Sequence, residues 1–333
     1  MHAKRTRACW PSCVQERAPS PRLQAGYIGS VNLVQEPELR RLAAVTPGVV
    51  AYNVAYLAVT WAVALGAIAV FWAYPAWYTF LAAFVVVSSR QQALLNCEHE
   101  AAHRKLLPSL RWNNFAGTYL TAAAVGSPFG AAQARHLAHH RLLGSPEDPD
   151  HQLHAGEAKR SRRGLTRHFV GALLGGYAGM VLLGPPAPRS AGSGNSARRD
   201  LVAILLVQAL LAAGLTLAFA WWVYPALWLA PLATVTALCH LVRSFVEHAI
   251  TDSEETGPHA NRLITIRSNL VERGLLSPYF MNYHAEHHLI PSVPAPRLKS
   301  LQQSLAARPE TPTVLVRRSY AGAVRHYVRE LPD

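Results

Sequence analysis

A chain of 333 residues that is 50% hydrophobic and only 15% charged, with a formal net charge of +13, is too apolar for an ordinary soluble enzyme. Lys, Arg, Asp and Glu are missing altogether from Leu42 to Ser89 and from Leu201 to Val242. A bilayer crossing needs roughly 20 apolar residues, so each run can hold two crossings joined by a tight turn, whereas a soluble helix would show a wet face within that length.

At the amino end, Lys4, Arg5 and Arg7 are followed by Pro, Ser and Gln rather than an apolar core, which argues against a signal peptide. Residues 1–40 are read as a flexible cytosolic extension, with a short interfacial helix within 31–48. The first crossing is placed at 49–72 and the second at 76–95, around the interfacial aromatic turn Tyr74-Pro75-Ala76-Trp77-Tyr78. Gly117, Gly126, Pro128 and Gly130 break the mildly apolar stretch 112–130, which is expected to be re-entrant or interfacial. Lys159, Arg160, Arg162, Arg163 and Arg167 read as a solvated basic face near lipid headgroups. An interfacial helix is expected at 169–184 and a linker from Gly184 to Asp200.

Crossings three and four follow at 201–221 and 226–246, with Trp221, Trp222, Tyr224, Pro225 and Trp228 around their turn. Both turns lack charge, so the positive-inside rule places the termini and the central region in the cytoplasm, with the chain in the inner (cytoplasmic) membrane. The expected fold is an all-α integral membrane protein: four transmembrane helices as two hairpins under a cytosolic helical cap. The membrane domain would span 41–305 and a cytosolic tail 306–333. No nucleic-acid partner is expected. The four cysteines (Cys9, Cys13, Cys97, Cys239) make no CxxC pair, so a zinc ribbon or redox dithiol is not indicated.

Eight of the 16 histidines fall in three short runs. His99 and His103 are spaced i, i+4; His136, His139 and His140 form one HxxHH, and His284, His287 and His288 a second. On a helix these offsets are expected to put the imidazoles of each run on one face. Neutral imidazole is a common ligand for zinc, copper and iron. Eight histidines exceed the four that one zinc takes and suit two metals. His248, at the cytosolic end of crossing four, offers a ninth ligand. His240, two turns deeper, reads as a core or channel residue; His2, His151, His154, His168, His259 and His326 read as surface residues. Glu98, Glu100, Glu247, Glu286 and Asp148 are placed either to orient imidazole ligands or to pair with Arg104, Arg135 or Arg243.

The order HxxxH, HxxHH, Arg243-x-x-x-Glu247-His248, HxxHH, interleaved with two apolar hairpins, resembles the membrane fatty acid desaturase superfamily. Glu147-Asp148-Pro149-Asp150 after the second run, and residues 282–294 from Asn282 to Pro294 at the third, carry the same resemblance, which covers residues 40–305. It implies two iron ions in a non-haem di-iron centre held by His99, His103, His136, His139, His140, His248, His284, His287 and His288. That centre would use dioxygen to remove hydrogen from a lipid chain. Animal acyl-CoA desaturases have an Asn where Ser244 stands, and one more residue inside the first box, so this chain departs from that subgroup.

With no haem segment and no flavin or nucleotide loop in view, two electrons per turnover would come from a ferredoxin-like or other external donor. Residues 112–130 with Tyr279, Phe280 and Met281 are candidate walls for a substrate tunnel, or simple packing. The leading expectation is a desaturase forming a carbon–carbon double bond in a fatty acyl chain. The alternatives are a carotenoid or other lipid hydroxylase or ketolase with the same centre, and a metal transporter. Transport fits poorly, because its site should lie near the bilayer midplane.

Overall fold

The computed structural model describes residues 36–156, 160–176, 194–258, 260–308 and 311–333; most of the expected extension at 1–40 lies outside them. After a short helix, α1 (Pro37–Ala43), comes α2 (Pro47–Ala73), with Pro47 in its first turn, where a missing N–H costs nothing. Its buried residues, Val49, Asn53, Leu57, Thr60, Ala64, Ile68 and Phe71, recur every three or four positions and form one inward stripe. Val54, Val59, Val63 and Val70, between them, are exposed. A helix apolar on its exposed face is built for lipid.

α3 (Trp77–Ala102) returns antiparallel to α2. Thr79 caps the turn, accepting from the Ala76 N–H at 3.0 Å and donating to the Tyr74 carbonyl at 2.7 Å. Its second half carries Arg90, Gln91, Gln92 and Asn96. Gln91 donates to the Trp228 carbonyl (2.8 Å) and Asn96 to the Pro278 carbonyl (2.7 Å), so these amides are buried in protein.

α4 (Leu110–Phe115) runs on through a π-helical stretch, Ala116–Ala122, and a 3-10 turn, Ala123–Val125, before Gly126 reverses the chain at φ 71°. Gly117 lets this broken helix approach α3 and α5 (Phe129–Leu142): a Cβ there would lie 2.7 Å from the Phe129 ring and 2.8 Å from the Ala101 Cβ. The next helices are α6 (His151–His154), α7 (Arg162–Leu173) and α8 (Gly194–Ala218). α7 overlaps the interfacial helix expected at 169–184 only over residues 169–173, and residues 177–193 lie outside the described set. α8 exposes Leu210 (63%) and Leu217 (88%), as a lipid-facing helix must.

Two π-helical turns, Pro225–Leu229 and Leu232–Thr236, lead into α9 (Ala237–Val246). Trp228, expected at the membrane-interface turn, is instead fully buried: it stacks on Trp61 with centroids 5.5 Å apart and donates to the Ala124 carbonyl at 3.0 Å. An indole buried with its N–H satisfied ties the two hairpins together.

By length and composition, three described segments can cross a membrane: Pro37–Ala73, Ser196–Ala218 and Pro225–Val246. The polar second half of α3 keeps the expected second crossing out of that set.

The chain is not wholly helical. β1 (Ile264–Ile266) pairs in parallel with β2 (Leu315–Arg317), in register Ile264 with Leu315. Between them come α10 (Leu270–Leu275), α11 (His284–Leu289) and α12 (Leu298–Ala306); α13 (Tyr320–Glu330) follows β2. The strands escaped the sequence because three residues carry no period. Residues 311–333 pack back on the helices: Tyr320 is fully buried, joins a core with Leu165, Phe245, Ile264 and Ile266, and donates to Glu247 at 3.0 Å.

Candidate metal centre

Helix ends deliver the imidazoles. α3 finishes in a Schellman-type turn just beyond its histidines, with Lys105 N–H donating to the Glu100 carbonyl (3.0 Å) and Arg104 N–H to that of Ala101 (2.9 Å). Arg104 takes the left-handed position at φ 60°. Before α11, Tyr279 and Phe280 form a two-residue left-handed turn at φ 63° and 62°, which aims the third histidine run back at the first two.

The nine histidines named from the sequence gather in two groups. His99, His103, His136, His140 and His287 form one, and His139, His248, His284 and His288 the other; in each group, ring nitrogens lie within 4.8 Å of one another. Neither HxxHH keeps its imidazoles together, contrary to the one-face expectation. At about 100° per residue, positions i+3 and i+4 point to opposite sides of position i. His136 and His140 therefore enter the first group while His139 turns to the second; His284 and His288 enter the second while His287 turns to the first.

The residues fit a metal. In the first group Nε2 atoms lie 2.7 Å apart in His103–His136, 2.9 Å in His136–His140 and 3.1 Å in His140–His287. In the second the spacings are 3.1 Å for His139–His248, 2.9 Å for His248–His284 and 3.1 Å for His284–His288. A neutral ring nitrogen offers one N–H or one lone pair, so His136, His140, His248 and His284 cannot each satisfy two neighbours. A cation among them could receive every lone pair. Two imidazoles bound at 90–110°, at the ~2.0–2.1 Å typical of zinc, would place their nitrogens about 2.9–3.4 Å apart. Both ring nitrogens of His99 are buried without a hydrogen-bond partner among the described residues.

Two outer nitrogens of the second group are held. A carboxylate and a carbonyl can only accept, so His139 donates from Nδ1 to Asp148 Oδ1 (2.9 Å) and His248 from Nδ1 to the Arg262 carbonyl (3.2 Å). Both tautomers leave the Nε2 lone pair facing inward. His284 Nδ1 lies 3.4 Å from Glu247 Oε2; the other Glu247 oxygen takes Arg243 Nε at 2.9 Å. The remaining acids bind elsewhere: Glu98 to Ser127, Glu100 to the Ala295 N–H, and Glu286 to Thr265 and Gln302.

Burial, reinforced by neighbouring imidazoles, pushes the pKa of His99, His136, His140, His248, His284, His287 and His288 well below the ordinary histidine value. Burial also lowers His103, to about 4. These rings are neutral at pH 7, the state a metal requires.

His154 and His168, read as surface residues, are buried, and His154 joins Asp148 and His139 in a third cluster. An isolated histidine in a polar stretch gives no periodic signal; only the neighbouring Glu-Asp-Pro-Asp hinted at it. His2 and His259 lie outside the described residues.

A cavity of about 220 Å³ adjoins both groups, reaching His99 and His136 on one side and His139, His248 and His284 on the other. Its remaining wall includes Glu98, Ser127, Pro128, Arg135, His240 and Ser244. Of the stretch 112–130 offered as tunnel wall or packing, Ser127 and Pro128 line this cavity. Tyr279, Phe280 and Met281 do not line this cavity; Tyr279 packs against Tyr52 and Tyr56, with centroids 6.3 and 4.8 Å away.

The described residues form a largely helical chain with three helices long and apolar enough to cross a membrane, and at the ends of α3 and α9 they gather imidazoles in groups that could hold metal ions. Its family is defined by sequence: the family model for fatty acid desaturase matches residues 75–319, and the chain belongs to that family. The dihydrorhizobitoxine desaturase of Bradyrhizobium elkanii is 25% identical over 235 residues, 66% of this chain. The match spans 65% of that relative's length, slightly under two thirds.

Proposed function

We propose that the protein is a membrane-bound di-iron desaturase that forms a carbon–carbon double bond in a fatty acyl chain. The observation that carries this reading is the convergence of nine buried or half-buried imidazoles into two adjoining groups beside one cavity. Per turnover, one dioxygen, two external electrons and two protons would accept two hydrogens from the substrate, giving the alkene and two waters. A bound iron pair would supply the dioxygen activation, a use for which imidazole-ligated iron with open positions is suited.

The chain's own residues would hold the site and fix the tautomers of His139 and His248 through Asp148 and the Arg262 carbonyl. α3 would form the fourth crossing, paired with α2 and hiding its polar half in protein. The histidine groups and both termini would face the cytoplasm, where a ferredoxin-like donor could reach them.

One observation favours a second reading of the substrate. Glu98, Arg135 and His240 make part of the cavity wall charged or polar, which suits a substrate with a polar group near its reacting carbons better than bare hydrocarbon. The relative's name, dihydrorhizobitoxine desaturase, likewise is not that of a fatty acyl enzyme.

The test is expression with a ferredoxin partner in a bacterial host, followed by mass spectrometry of lipids and polar extracts. A product two mass units lighter than its precursor, absent with His287→Ala, supports desaturation; added oxygen would point to a hydroxylase or ketolase. Purified, iron-supplied protein should hold about two irons per chain, following the two groups. One zinc and no iron would sink the di-iron reading.

A further inference from the structure

His154 is 1% exposed, yet it contributes no nitrogen to either histidine group. Its Nε2 donates to Asp148 Oδ2 at 3.0 Å, and its Nδ1 is buried without a hydrogen-bond partner among the described residues. Its ring centroid lies 5.4 Å from that of His248 and 6.3 Å from that of His139. Burying an imidazole with one nitrogen unmatched costs free energy, so packing alone gives a poor account of it.

Asp148 supplies the account. Its Oδ1 accepts from His139 Nδ1 (2.9 Å) and the Asp150 N–H (2.8 Å), and its Oδ2 from His154. Burial alone would raise the Asp148 carboxyl, but the bonds from His139 and His154 outweigh it and hold the pKa below the usual carboxylate range. The two oxygens move as one rigid plane, so anchoring Oδ2 sets the direction in which Oδ1 meets His139. Without that anchor the carboxylate could rotate about its Cβ–Cγ bond, and the ring of His139 with it. The short helix α6 fits this task, because it returns the chain just far enough to face His154 to Asp148.

We propose that His154 is a positioning residue for the four-histidine group: through Asp148 it fixes the tautomer and ring plane of His139, so that the Nε2 lone pair faces His248. The inference rests on the metal reading of that group. It requires no change of protonation at His154.

The test uses cobalt(II) as probe, with full-length protein in detergent, following metal stoichiometry and the visible ligand-field spectrum. His154→Phe and His154→Leu remove the donor, and having two apolar variants guards against one failing to fold. His154→Gln retains an N–H donor. Wild-type protein should bind two ions. The apolar variants should bind one of them about 10–100-fold more weakly, the range seen when an outer partner of a metal ligand is lost, with a changed spectrum. Gln should restore most of the affinity.

Unchanged affinity and spectrum in the apolar variants would overturn the proposal while leaving the metal centre intact. Equal loss with Gln would overturn it in favour of a packing role. A third ion bound by wild type and lost with Phe would overturn it in favour of a separate site. Wild type binding fewer than two ions would overturn the two-group reading and this inference with it.

Discussion

The two histidine groups are built on different principles. The group of five has more imidazoles but little support: His103 and His140 are partly exposed, and neither ring nitrogen of His99 has a partner among the described residues. In the group of four every member is buried, and His139 and His248 donate from their outer nitrogens to Asp148 and the Arg262 carbonyl, while Glu247 lies 3.4 Å from that of His284. One group gains security from redundancy, the other from fixed orientation. Outer partners that fix a ring ahead of binding lower the cost of ordering it, so a smaller set can hold an ion as well as a larger, looser one.

Removing one ligand from each group tests this most severely. His248→Ala leaves three imidazoles and should cost about one of two irons and more than about 100-fold in activity, beyond what losing an outer partner does. His103→Ala leaves four, and should retain both irons with a loss nearer tenfold. Iron analysis beside turnover assays decides it; equal losses would end the distinction.

The support of the second group can also be attacked from behind. Arg243 and Glu247 are a buried ion pair at 2.9 Å, and Glu247 is the carboxylate facing His284. Arg243→Met strands that charge and should destabilise the fold by about 3–5 kcal/mol, measured by unfolding in detergent. The first group should keep its metal in whatever protein remains folded.

How much of this was legible beforehand depends on the range of each signal. Eight of the nine clustered histidines were readable because their spacing lies within single helix turns, and His248 from its place at the end of an apolar run. Their division was not, because it depends on how each helix is rotated against the others, which no local spacing records. The apolar runs announced membrane helices, but the polar half of α3 hid whether it crosses, since Gln91 and Asn96 find their partners 137 and 182 residues away. His154 failed for a related reason: its partner Asp148 is close in sequence, but a lone pair of residues has no period.

Acid should expose the chemistry the groups share. The buried imidazoles have folded pKa values below the unfolded value of roughly 6.5, with His103 at about 4. Above pH 6.5 both folded and unfolded chains are neutral at these rings, and no stability is lost. As pH falls from there towards 4, the unfolded chain binds protons that the folded chain refuses. Metal-free protein should therefore lose stability over that range, by roughly 1.4 kcal/mol per pH unit for each proton that the unfolded chain holds and the folded chain does not. Melting curves of chelated protein between pH 7 and 4 would show it; a flat response would mean that water reaches the rings.

The smallest effect lies at the edge of the five-histidine group. Arg104 occupies the left-handed position at φ 60° that ends α3 just after His103. A side chain there meets its own backbone at a cost of about 1–2 kcal/mol, which glycine avoids. Glycine also adds freedom to the unfolded chain, returning part of the gain. Arg104→Gly should thus stabilise the protein by about 1 kcal/mol or less, with both metal ions retained, because the Schellman turn that sets His103 is made by backbone groups. A rise in the unfolding midpoint at constant metal content would show that redundancy leaves this group tolerant of its surroundings. If the midpoint rose but one ion were lost, the Arg104 side chain would be positioning His103, and the five-histidine group would depend on its outer residues as the four-histidine group does.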